Sequence, residues 1–168
     1  MHDESNDAPV AYLITFTAYG TWLHGDVRGS VDRNRNIYGT PRVLPDVRWK
    51  QREFALLKGA PVTLGVERRL SVRAAIAETC EIRGWELYAS NVRTNHVHTV
   101  ITALCRPERV VGALKANATR VLRERGLWSS DRSPWTRGGS TRYLWTQASL
   151  ERAIWYVVDG QGASLDSE

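Results

Sequence analysis

Apolar residues first gather at Val10-Ala11-Tyr12-Leu13-Ile14-Thr15-Phe16-Thr17-Ala18. This run of β-branched and aromatic side chains predicts a buried strand. Farther along, Val66, Leu70, Ala74 and Ala77, with Ile76 and Cys80 alongside, recur at helical spacing, and Gly84 sits where a helix stop belongs. The pattern predicts a helix near 65–83 that buries this stripe. Trp85 to Arg93 and His96 to Ala103 are β-rich runs parted by Thr94-Asn95, the spacing of an antiparallel hairpin. Pro107 opens a second helix, in which Val110, Leu114 and Val121 join Val111, Ala118 and Leu122 in one apolar stripe ending at Gly126. Residues 127–140 read as loop and Thr141 to Trp145 as a short strand. Leu150, Ala153, Ile154 and Val157 mark a last helix of about three turns.

The order β, long loop, α, β, β, α, β, α predicts an α+β fold, a ferredoxin-like split βαβ antiparallel sheet with an added C-terminal helix. At 168 residues the chain fits one domain, placed at 10–162, with a disordered N-terminus at 1–9 and a short tail at 163–168. Within it, residues 25–61 hold no sustained period beyond a short helical piece at Trp49 to Leu57. Gly, Asn, Pro and the arginines Arg28, Arg33, Arg35, Arg42 and Arg48 dominate. A loop of that size is uncommon in a compact domain unless it binds something. Because this architecture serves many functions, function has to be read from the site.

Composition narrows the choice. No apolar run exceeds Ala153 to Val158, far short of the ~20 residues of a membrane helix. The polar, acidic start Met1-His2-Asp3-Glu4 lacks the basic and apolar regions of a secretory signal, so a cytoplasmic location is expected. Cys80 and Cys105 are too few for a disulfide framework or a four-thiolate zinc site and read as buried thiols. The net charge of +5 favours a polyanionic partner, and 20 of the 23 basic residues are Arg, which forks onto phosphate and stacks on bases. A GC-rich genome would enrich Arg as well.

The candidate chemistry begins in Asn95-His96-Val97-His98. Histidines at i and i+2 of a strand leave the same face, about 7 Å apart at their Cα atoms, where one divalent cation can bridge them. Two imidazoles leave coordination positions open, which suits Mg²⁺ or Mn²⁺ with a phosphate oxygen; two strand histidines without any ligand are the plainer alternative. Tyr156 falls on the shoulder of the last helix between Ala153 and Gly160, small neighbours that leave its hydroxyl accessible, although most tyrosines so placed only pack. Asp159 or Gln161 could add an oxygen ligand.

Asn95-His96-Val97-His98, followed after a helix and a Trp/Gly-rich loop by Tyr156-Val157-Val158-Asp159-Gly160-Gln161, resembles the single-tyrosine HUH transposases, which include insertion-sequence and REP-associated tyrosine transposases. The resemblance spans roughly residues 10–162, through Thr21-Trp22-Leu23, Leu114-Lys115, Thr119-Arg120 and Gly139 to Trp145. It implies that His96, His98 and a polar residue one turn after the tyrosine hold the metal, while Tyr156 attacks a phosphate of single-stranded, hairpin-flanked DNA. Members of the family commonly carry Gln four positions after the tyrosine. This chain has Gly160 there and Gln161 one later, which leaves the third ligand open between Gln161 and Asp159.

Attack would give a 5′-phosphotyrosine and a free 3′-OH, and rejoining would need no ATP, in keeping with the absence of a Walker-type loop. Lys115 and Arg120 are assigned to DNA, as are Arg33 and Arg35 in the insertion, with Trp22, Tyr38 and Trp49 as faces for unpaired bases. Tyr143 is the best substitute nucleophile. The resemblance leaves a homodimer and a monomer both open, since insertion-sequence members exchange catalytic helices and the REP-associated branch is monomeric. Two other readings stand beside it: a hairpin DNA- or RNA-binding protein without turnover, and a metal-assisted phosphodiesterase that uses water.

Overall fold

The computed structural model describes residues 8–20, 48 and 59–160. The expectations for the first seven residues, for almost all of the basic insertion and for the C-terminal tail lie outside them.

Strand β1 (Ala11–Thr17) is followed by helix α1 (Val66–Arg83), β2 (Glu86–Val92), β3 (His96–Thr102), α2 (Pro107–Glu124), β4 (Ser140–Leu144) and α3 (Gln147–Val158). The strands form one antiparallel sheet in the order β2-β3-β1-β4. This is the expected α+β, split βαβ arrangement with its added C-terminal helix. The central position of β1 explains its composition: with both faces covered by helices, nearly every residue from Ala11 to Phe16 is buried. The hairpin between β2 and β3 closes through residues 93–95, with the Arg93 N–H donating to the His96 carbonyl at 2.8 Å.

Period-2 alternation sorts side chains between two cores. Tyr12, Ile14, Phe16, Val97 and Ile101 pack with α1 and α2 on one face, whereas Ala11, Leu13, Ala89, Val100 and Leu144 pack with Leu150, Ala153 and Val157 of α3 on the other. The apolar stripe of α2 is buried as expected, from Val110 to Leu122. That of α1 is the expected one only at Ile76 and Cys80. Val66 and Leu70 are 37% and 47% exposed and Ala74 and Ala77 face solvent, while Arg69, Ser71, Val72, Ala75, Ile76, Thr79 and Cys80 are inside.

Each buried polar side chain of α1 makes at least one hydrogen bond, which offsets part of the cost of burying it. Arg69 donates to the Leu64 carbonyl, Arg125 donates to Ser71, and Thr79 donates to the Ala75 carbonyl while accepting from Asn117 of α2. A stripe counted from hydrophobicity alone cannot register those bonds. Cys80 is buried as expected, but Cys105 is only half-buried, because it lies in the turn between β3 and α2.

Helix α3 starts before its first apolar residue. Thr146 and Ser149 form a capping box, the Thr146 hydroxyl accepting from the Ser149 N–H and the Ser149 hydroxyl from the Thr146 N–H, both at 3.1 Å. Leu150, Ala153 and Val157 then seat the helix on the sheet, and a fully buried Leu or Val is worth about 1.5–3 kcal/mol.

Candidate active site

Cross-strand register sets Asn91 of β2, His98 of β3, Thr15 of β1 and Ser140 of β4 in one row across the sheet, on the face that carries α3. His96 lies one step along, opposite Thr17. The intervening Val97 points into the opposite core, so the His-x-His alternation presents both imidazoles together, with ring centroids 4.7 Å apart.

Each ring is oriented through Nδ1. The His98 Nδ1 lies 2.7 Å from the Thr15 hydroxyl, and the His96 Nδ1 lies 2.6 Å from Oδ1 of Asn95. An amide oxygen only accepts, so in this contact the His96 Nδ1 is the donor, and its Nε2 is buried.

Tyr156 reaches this pair from α3. Its neighbours Ala153 and Val157 turn into the core, leaving the phenol half-buried on the helix shoulder, and its ring centroid is 5.5 Å from that of His98. Two further residues fix the end of the helix. Asn91 Nδ2 donates to the Val157 carbonyl at 3.0 Å. Gly160 folds back so closely that an added Cβ would lie 2.8 Å from the Tyr156 carbonyl oxygen and 3.2 Å from its ring. Asp159 closes α3 and is exposed. Among the described residues no group of three His, Cys, Asp or Glu is gathered for a metal ion. Gln161 lies outside them, as do Trp22, Arg33, Arg35, Tyr38 and Trp49.

Lys115 and Arg120 sit on α2, across the sheet from the histidines, and each is engaged within the protein. The Lys115 ammonium donates to the Thr136 and Gly138 carbonyls and lies 5.9 Å from the centre of the Phe16 ring, and burial pushes its pKa down to about 8. Arg120 pairs with Glu78 and Glu124 at 2.9 and 2.7 Å. Tyr143 stands opposite Tyr12, whose side chain belongs to the α1/α2 core, so it too occupies the face away from the histidines. Tyr12 donates to the Cys105 carbonyl, and burial, then Tyr143, raises its pKa.

The sequence motifs brought together His96, His98 and Tyr156 but passed over Thr15, Asn91 and the bond from Asn95. Their signal was faint: polar residues that share their strands with other polar residues, or lie in the hairpin turn, become informative only once pairing is known.

Residues 62–149 match the family model described as Transposase IS200 like, a span that contains both histidines and stops short of Tyr156. Among solved structures, a crystal structure described as a "putative transposase" from Deinococcus radiodurans R1 is similar at 14% identity, covering 98% of this chain and 99% of that one, with a TM-score of 0.47. No curated protein matches. Since the matched span is more than half of the chain, this protein belongs to the IS200-like transposases, the single-tyrosine HUH family that its sequence resembles.

Proposed function

We propose that this protein is a metal-dependent transposase that cuts and rejoins single-stranded DNA beside hairpins through a 5′-phosphotyrosine on Tyr156. The observation that carries the proposal is the approach of the Tyr156 and His98 rings to 5.5 Å, from elements far apart in the chain. Family membership alone would not supply the nucleophile, because the matched span ends before it.

The histidine pair fits a divalent cation. Both rings spend Nδ1 on a neighbouring oxygen, the arrangement that orients imidazole ligands and directs Nε2 to a metal. His96 and His98 would hold Mg²⁺ or Mn²⁺, with Gln161 or Asp159 completing the set. Bound there, the ion would draw charge from a scissile phosphate.

The residues would do the rest. A phenol ordinarily ionises near ~10, so the Tyr156 oxygen gives up its proton as it attacks phosphorus. The Tyr Oη–P bond forms, the P–O3′ bond breaks, and the departing O3′ takes a proton to become a 3′-OH. Rejoining reverses the exchange: a 3′-OH attacks, the phosphodiester re-forms, and tyrosinate leaves. The bond count is conserved, so no nucleotide hydrolysis is required.

Incubating the protein with a labelled hairpin oligonucleotide bearing a single-stranded flank, with Mn²⁺, should give an adduct that survives a denaturing gel. Tyr156→Phe should abolish the adduct and keep DNA affinity, since only the nucleophilic oxygen is removed. Cleavage without an adduct would support the water-using phosphodiesterase, and binding without cleavage would support a binding protein. An adduct that persists in Tyr156→Phe would move the nucleophile elsewhere.

A further inference from the structure

We infer that Asn91 is a positioning residue for Tyr156: from edge strand β2 it ties the last turn of α3 to the histidine row and so fixes the phenol relative to His98. The inference rests on the reading of Tyr156 as nucleophile. Asn91 is registered directly across from His98, and its Nδ2 donates to the carbonyl of Val157, the residue that follows Tyr156. One side chain thus joins the strand row that holds the metal candidates to the helical turn that holds the nucleophile.

The bond meets a need of the helix. The last carbonyls of an α-helix lack intrahelical donors, and final turns fray when nothing satisfies them. In α3 the Trp155 carbonyl receives the Asp159 and Gly160 N–H groups, and the Val157 carbonyl receives Asn91. Tyr156 lies between them, in the turn that fraying would displace. Upstream, Leu150 and Ala153 seat the helix on the sheet. Loss of Asn91 should therefore loosen the last turn and leave the fold standing. Attack geometry is demanding, and a misplacement of about 1 Å can cost about 10²-fold in rate.

The test compares the parent with Asn91→Leu, close in shape but without a donor, Asn91→Ala, and Asn91→Gln, which keeps an amide. Each protein is prepared in a second form with 3-fluorotyrosine at position 156. Single-turnover adduct formation at saturating hairpin DNA with Mn²⁺ should slow at least about tenfold in Asn91→Leu and Asn91→Ala and recover in part in Asn91→Gln. DNA affinity should stay within about twofold, as expected when contacts to phosphate are untouched. The ¹⁹F line of residue 156 should shift or broaden in the two variants that lack a donor, read at a temperature where both are folded.

A parent-like rate in Asn91→Leu and Asn91→Ala would overturn the inference. So would a rate that falls only in step with melting temperature while the ¹⁹F line stays unchanged. If the parent itself forms no adduct, the nucleophile reading fails, and the ¹⁹F line alone then decides whether Asn91 positions Tyr156.

Discussion

The Thr15 hydroxyl lies 2.7 Å from Nδ1 of His98, joining the central strand to the more deeply buried of the two histidines. Partners of this kind set ring orientation, and removing one from a metal site typically costs about 10–100-fold in metal affinity. Thr15→Val keeps the β-branched shape and removes the oxygen. The variant should fold, melt close to the parent, and bind Mn²⁺ about 10–100-fold more weakly in a titration followed by electron paramagnetic resonance. Equal affinity in parent and variant would detach Thr15 from the site.

Loss of either imidazole should act more severely. His96→Ala and His98→Ala should each abolish Mg²⁺- or Mn²⁺-dependent cleavage of a hairpin substrate, while gel-shift affinity persists, because phosphate contacts by Arg and Lys supply most of it. Retained cleavage in either variant would remove that histidine from the metal-binding role.

Gly160 offers a subtler probe, because the family commonly places Gln at the corresponding position. An alanine Cβ there would lie 2.8 Å from the Tyr156 carbonyl oxygen and 3.2 Å from its ring, so the backbone or the ring must give way. Gly160→Ala should slow adduct formation roughly tenfold or more, as small misplacements do, with little change in melting temperature because the residue is exposed and past the helix end. An unchanged single-turnover rate would show that the turn adapts without moving the phenol.

What could be read in advance follows from the range of the forces involved. The α2 stripe and the His-x-His alternation are local periodicities, visible in a short window, and both were found where expected. The α1 face departs from its hydrophobic period in part because buried Ser71 and Thr79 are bonded by Arg125 and Asn117, partners that no short window contains. Asn91 and Thr15 went unnoticed for the same reason. Their importance depends on the register of strands β1, β2 and β3, which long-range pairing fixes.

Lys115 makes stability depend on pH in a definite direction. Burial lowers its pKa from 10.5 to about 8. Between these values the unfolded chain holds a proton that the folded chain has released, so this group adds stability as pH rises from 8 to 10.5, and that gain is lost as pH falls through 8. The melting temperature of the parent minus that of Lys115→Met should therefore increase across this window. A flat difference would mean that the two carbonyl acceptors keep the ammonium charged.

Arg120 and the insertion arginines should separate in their response to salt. The Arg120 guanidinium is shared by Glu78 and Glu124, so a phosphate would have to displace two carboxylates to reach it. Arg33 and Arg35 lie in the Arg-bearing, period-free insertion. Each phosphate contact to a single strand contributes about 0.7 to the slope of log affinity against log salt, and one to duplex DNA about 0.9. Neutralising Arg33 and Arg35 together should flatten the slope for a hairpin with a single-stranded flank by about 1.4 to 1.8. Arg120→Gln should leave the slope unchanged and instead lower the melting temperature, through the lost bridge between α1 and α2. A slope that flattens in Arg120→Gln but not in the double variant would move the DNA surface to α2.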